Sequence, residues 1–146
     1  MYKVLFVCIH NSARSQMAEA FANHYGNGEL VAESAGIDSG KINPLVVRSM
    51  QDIGIDMSAH YAKTVASVLE AGKTYDAVVT VCDEANAARC PVFPGMVKRA
   101  AWFFDDPSAL GGTEDEKLAR IAVIREQVRT KVQEYVADAK ANNYWK

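Results

Sequence analysis

Three short apolar runs constrain this chain more than any other feature, because each stops abruptly at a residue able to do chemistry. Val4-Leu5-Phe6-Val7 runs into Cys8, Ala77-Val78-Val79-Thr80-Val81 into Cys82, and Ala101-Trp102-Phe103-Phe104 into Asp105-Asp106-Pro107. Between them lie longer stretches with helical periodicity, and this alternation predicts an α/β domain, a four-stranded parallel sheet flanked by helices. Strands are expected near residues 3–7, 29–34, 76–81 and 99–104, and helices near 15–25, 44–53, 64–71 and 113–141. In an open parallel sheet, ligands bind at the carboxyl ends of the strands. Cys8, Cys82 and Asp106 are therefore expected along one edge.

Local signals support these elements. Asn43 before Pro44 reads as a helix N-cap with proline at the first helical position, and Gly54 closes that helix. Thr113-Glu114-Asp115-Glu116 has the pattern of a capping box. Beyond it, Leu118, Ile121, Ile124, Val128 and Val132 form one apolar stripe, expected to pack against the sheet.

A length of 146 residues with 49% hydrophobic content suits a single domain over residues 1–146. A net charge of −2 gives no electrostatic footprint for nucleic acid or an anionic membrane. No run approaches the ~18 apolar residues of a membrane span, and no signal peptide is evident. A cytoplasmic monomer is the expectation. Three cysteines, an odd number, argue against a secreted disulfide framework and suggest redox or metal chemistry in a reducing compartment. The positions Cys8, Cys82 and Cys90 fit no common zinc spacing, so no metal is expected.

The segment Cys8-Ile9-His10-Asn11-Ser12-Ala13-Arg14-Ser15 carries the strongest functional signal. A strand ending in a tight loop that leads into an amphipathic helix points its loop amides inward. Those amides, the helix N-terminus and a guanidinium make a cradle for a tetrahedral oxyanion. The same positive field favours the thiolate form of a cysteine placed there. Asn11 can brace the loop, the Ser15 hydroxyl can donate to sulfur, and Arg14 can grip two oxygens in a fork. The pattern describes a nucleophile aimed at the central atom of an oxyanion, with an aspartate of the Asp105-Asp106-Pro107 loop as proton donor to the leaving group. A buried inert thiol and a plain Asp-Pro turn are the bland alternatives.

Cys8, Asn11, Arg14 and Ser15 resemble the Cys-x-x-Asn-x-x-Arg-Ser loop of the low-molecular-weight protein tyrosine phosphatases and of the thioredoxin-coupled arsenate reductases that share their fold. Ser34-Ala35-Gly36, Asn43-Pro44, Ser58-Ala59-His60 and Asp105-Asp106-Pro107 extend the resemblance over nearly the whole chain. It implies that Cys8 is the nucleophile and Asp106 the general acid, with His60 in a packing role. Where the phosphatases typically place tyrosines after Asp-Pro, this chain has Ser108 and Ala109. Where they commonly place a second loop cysteine, it has Ser12 and Ala13.

Cys82 and Cys90 favour the reductase branch. Eight residues along a helix span ~12 Å, whereas a disulfide needs Cα atoms within ~7 Å. A Cys82–Cys90 bond therefore requires the intervening polar segment to unwind, and Pro91 disfavours helix at Cys90. The resemblance implies a relay in which Cys8 attacks arsenate, Cys82 resolves the adduct and Cys90 completes a disulfide that thioredoxin or another thiol reductant resets. It also implies a potassium site behind the loop, formed by Asn11, Glu19, Ser34 and an aspartate. Lys63 stands at the aspartate position, so its ammonium is expected in place of the cation, with no bound cofactor. Two alternatives remain open: a phosphatase using Cys8, Arg14 and Asp106 on phosphomonoesters, and a non-enzymatic redox sensor that binds an oxyanion.

Overall fold

The structure, a computed structural model, describes residues 2–38, 40–81 and 98–142, the side chain of Ser108 excepted. Its centre is β1 (Tyr2–Cys8), rich in branched and aromatic side chains and buried along almost its whole length. β2 (Leu30–Gly36) and β3 (Ala77–Thr80) pair with it on either side, and β4 (Lys98–Ala101) adds to β3. All pairings are parallel, in the order β2-β1-β3-β4. A central parallel strand is covered on both faces, which is why β1 reads as a continuous apolar run.

Side chains alternate along β1. Val4, Phe6 and Cys8 face the larger core, built with α1 (Arg14–Gly26), α2 (Pro44–Gln51) and α4 (Glu114–Ala141). Leu5 and Val7 face a smaller core under α3 (Val65–Glu70), with Val65, Val68, Tyr75 and Val78. Cys8 therefore points toward the face that carries α1. Each fully buried aliphatic or aromatic side chain contributes about 1.5–3 kcal/mol.

The expected helix ends form for the expected reasons. Asn43 Oδ1 accepts from Leu45 N at 3.0 Å with Pro44 in the first turn, and Gly54 takes φ +81 after α2. Thr113 Oγ1 accepts from Glu116 N and also donates to the Glu116 carboxylate, each at 3.2 Å. The α4 stripe buries Ile121, Ile124, Val128 and Val132, then continues through Val136 and Ala139, while Leu118 is only half-buried.

Two expectations need correction. α1 is not amphipathic: it buries Arg14, Ser15 and Gln16 together with Met17, Ala18, Ala20, Phe21 and Ala22. Its first turn is packed into the site rather than laid on a surface, so polar residues are inside because they have partners there. β4 does not run to Phe104 but stops at Ala101. Trp102 N still donates to Thr80 O at 2.7 Å, and the Trp102 ring packs on Phe6 and Tyr135. Two residues further on, the Phe104 carbonyl accepts from the Arg14 side chain. Cys82 and Cys90, with the segment between them, lie outside the described residues.

Candidate active site

β1 delivers Cys8 to the carboxyl edge of the sheet, and the loop that follows folds back over its own sulfur. Asn11 adopts φ +55, a left-handed conformation that asparagine tolerates better than most residues. That turn aims the Asn11 N–H at Cys8 Sγ, 3.2 Å away. Ser15 Oγ lies 2.9 Å from the same sulfur. Cys8, Asn11, Arg14 and Ser15 are all buried.

The direction of the Ser15 bond follows from its neighbours. Lys63 N, which can only donate, reaches Asn11 Oδ1 at 3.1 Å, so the Asn11 amide nitrogen faces the other way. That nitrogen donates to Ser15 Oγ at 2.8 Å. The hydroxyl accepts there, and toward a Cys8 thiolate, which has no proton to give, it can only donate. Sulfur thus sits opposite two donors, an arrangement that stabilises a thiolate.

The loop is clamped from outside as well. Ile37 N donates to Cys8 O, Asp38 N to Ile9 O and Asn43 N to Ser12 O, all at 2.8–2.9 Å. Gly36, paired with Cys8 in the sheet, lies so close that a Cβ there would stand 2.7 Å from His10 C and 2.8 Å from Asn11 N. A Cβ at Gly40 would meet His10 O at 2.6 Å. Within the loop His10 is exposed, Ile9 and Ser12 are half-buried and Ala13 is buried. Ala13 also precedes α1, whose N-terminus has no side-chain cap among the described residues. An N-terminus of this kind suits an anion.

Arg14 joins this loop to the one after β4. Its Nη1 donates to Phe104 O at 3.0 Å and its Nη2 lies 3.7 Å from Asp106 Oδ2. Asp106 is one-third exposed, just ahead of the Pro107–Ala109 turn. Arg14 thus ties the loop that holds Cys8 and Ser15 to the loop that holds Asp106.

Behind the loop lies a second cluster. Ser34 Oγ donates to Glu19 Oε1 at 2.7 Å, and Lys63 Nζ lies 3.7 Å from that oxygen. His60 Nδ1 is 3.2 Å from Glu19 Oε2. Asn11 Oδ1 accepts from Lys63 N and Gln16 Nε2. The oxygens that would ligate a potassium ion already face hydrogen-bond donors or an ammonium, so these residues do not fit that cation. Gln16, absent from the sequence-based set, is buried at the centre of this cluster. No sequence signal marked it, because it follows the polar residues Arg14 and Ser15 and its partners lie in other segments. His60 is hydrogen-bonded to Gln16 rather than merely packed.

Residues 3–143 match the model of the low molecular weight phosphotyrosine protein phosphatases. This chain belongs to that family. Among curated relatives of this low-molecular-weight phosphatase-family chain, an arsenate reductase of Bacillus subtilis is 39% identical over 137 residues, covering 94% of this chain and 96% of the relative. A solved structure described as an arsenate reductase in the phosphate binding state superposes with a TM-score of 0.72 at 28% identity, covering 94% of this chain and 98% of that one. A thioredoxin-dependent arsenate reductase of Corynebacterium glutamicum superposes with a TM-score of 0.59 at 26% identity, covering 92% of this chain and 63% of that one. Within the low-molecular-weight phosphatase family, the chain stands with the arsenate reductases. Among the described residues, no helix is long and apolar enough to cross a membrane.

Proposed function

We propose that this chain reduces arsenate to arsenite, with Cys8 as nucleophile, Cys82 and Cys90 as resolving thiols and thioredoxin as reductant. The observation that carries this reading is the sulfur of Cys8, held opposite the Asn11 N–H and the Ser15 hydroxyl, on a loop whose Arg14 reaches Asp106. The arsenate reductase relatives supply the choice of oxyanion, and the thioredoxin-dependent one the choice of reductant.

Arsenate binds against the loop amides and Arg14. The Cys8 thiolate forms a bond to arsenic, and one arsenate oxygen leaves as water after taking a proton from Asp106. The Cys82 thiolate then attacks Cys8 sulfur. The sulfur–arsenic bonding pair stays on arsenic, which falls from As(V) to As(III) and departs as arsenite, leaving a Cys8–Cys82 disulfide. Cys90 attacks Cys82 and releases Cys8 as thiolate. The Cys82–Cys90 disulfide passes to the dithiol of thioredoxin, so two electrons enter for each arsenate reduced. A cytoplasmic setting would keep the three thiols reduced between turnovers.

The test is arsenate-dependent NADPH oxidation with thioredoxin and thioredoxin reductase, run beside Cys82→Ser and Cys90→Ser. Sustained turnover that both variants lose supports the relay. No arsenate-dependent consumption with active controls overturns the reductase reading. Turnover that survives without Cys90 moves the resetting step to an external thiol. The family match also favours a weak second activity: Cys8, Arg14 and Asp106 would hydrolyse a small aryl phosphate without either resolving cysteine. Aryl phosphate turnover retained in Cys82→Ser and lost in Cys8→Ser is the expected sign of it.

A further inference from the structure

Gln16 is fully buried in a helical turn whose neighbours are core residues, a position where an apolar side chain would cost less to desolvate. Its amide is used at both ends. Nε2 donates to Asn11 O at 3.0 Å, to Asn11 Oδ1 at 2.8 Å and to Tyr61 O at 3.1 Å. These three acceptors carry no hydrogen, so the amide has one orientation, and Oε1 must face His60 Nδ1, 2.9 Å away. His60 Nδ1 is therefore the protonated ring nitrogen on this side, and it also approaches Glu19 Oε2 at 3.2 Å.

One nitrogen thus holds both acceptors of Asn11, the residue whose left-handed backbone aims an N–H at Cys8 and whose side chain turns the Ser15 proton toward the same sulfur. We propose that Gln16 is a positioning residue for the nucleophile: held by His60, it locks Asn11 so that both donors to Cys8 are set before any oxyanion arrives. It acts through Asn11 and Ser15. The inference rests on Cys8 as the reactive thiol and not on which oxyanion it attacks.

The experiment reads Cys8 directly, in the full-length reduced protein and in buffer without oxyanions. Alkylation by iodoacetamide is followed across pH by mass spectrometry of the Cys8 peptide. Gln16→Met keeps the shape of the side chain and removes its hydrogen bonds. Gln16→Glu keeps the length and an acceptor for His60, but sets a carboxylate oxygen where the amide donated to Asn11 and Tyr61. Both are expected to alkylate Cys8 about tenfold more slowly at neutral pH, with the profile displaced to higher pH. Val132→Ala, a core truncation in α4 away from the loop, controls for loss of stability and should keep the parental profile. A parental profile in either folded Gln16 variant overturns the proposal, as does equal slowing by Val132→Ala. The outcome is independent of arsenate turnover, so failure of the reductase reading and failure of this inference are told apart.

Discussion

Arg14 and Asp106 meet across two loops, Nη2 to Oδ2 at 3.7 Å, while the same guanidinium donates to the Phe104 carbonyl. A buried cation is tolerable because the loop after β4 supplies both partners. Only a planar fork can hold that loop and still face an oxyanion. Arg14→Lys is therefore expected to lower kcat/KM for arsenate by about a hundredfold, with KM raised, since a single ammonium cannot replace the bidentate grip. Steady-state kinetics and inhibition by phosphate check this, and an unchanged KM would count against it.

Ser15 touches the sulfur directly, its hydroxyl 2.9 Å from Cys8 Sγ while it accepts from Asn11 Nδ2. Hydrogen bonds to charged groups contribute about 1.5–3 kcal/mol, so Ser15→Ala should slow Cys8 chemistry by roughly ten- to a hundredfold. The fold should survive, because the remaining contacts of α1 are untouched. Single-turnover arsenite release and thermal melting measure the two separately.

Gly36 has no room for a methyl group: a Cβ would press within 2.8 Å of the backbone at His10 and Asn11. Gly36→Ala should cost about 1–3 kcal/mol of stability. It should also weaken phosphate binding, because the displaced backbone belongs to the anion loop. Calorimetric titration with phosphate beside a thermal melt gives both numbers.

The acid side of stability has a local marker on α4. Hydrogen bonding from Arg125, joined by Arg129, holds the Glu126 carboxyl below its usual range. Because the folded value is depressed, the stabilisation is full above about pH 4.5, the ordinary value, and fades as pH falls through the folded one. Glu126 is half exposed, so the effect stays within about 1 kcal/mol and shrinks in salt. Melting temperatures of the parent and Glu126→Gln should differ near pH 6 and draw together as pH falls below the ordinary carboxyl value of 4.5.

Much of this was legible from residue order. β1, β3 and the anion loop were readable because an apolar run meeting a loop-forming polar segment has few other structures open to it. Asn43, Thr64 and Thr113 cap the helices that follow them. The end of β4 was not readable: Trp102-Phe103-Phe104 has the composition of a strand, yet the Phe104 carbonyl is claimed by a side chain far away in sequence. Gln16 was hidden for a similar reason. Its partners Asn11, His60 and Tyr61 come from two separate segments, and a lone glutamine in a helix carries no local mark of burial. Cys82 and Cys90, the proposed resolving thiols, were visible only as residue types at a spacing, since that chemistry depends on the conformation of the segment between them.

β1 is hydrogen-bonded on both sides, whereas β4 is an exposed edge. Edges open by fraying; a strand held between two neighbours is released only when a ladder breaks. The proposed nucleophile therefore sits on a strand that exchanges slowly, and the proposed acid follows an edge that opens more readily. Heat or mild denaturant should separate them in time: the enzyme would lose its ability to protonate a leaving group while its thiol still sat cocked in an intact cradle. An ageing preparation would then go on binding oxyanions long after it had stopped turning them over.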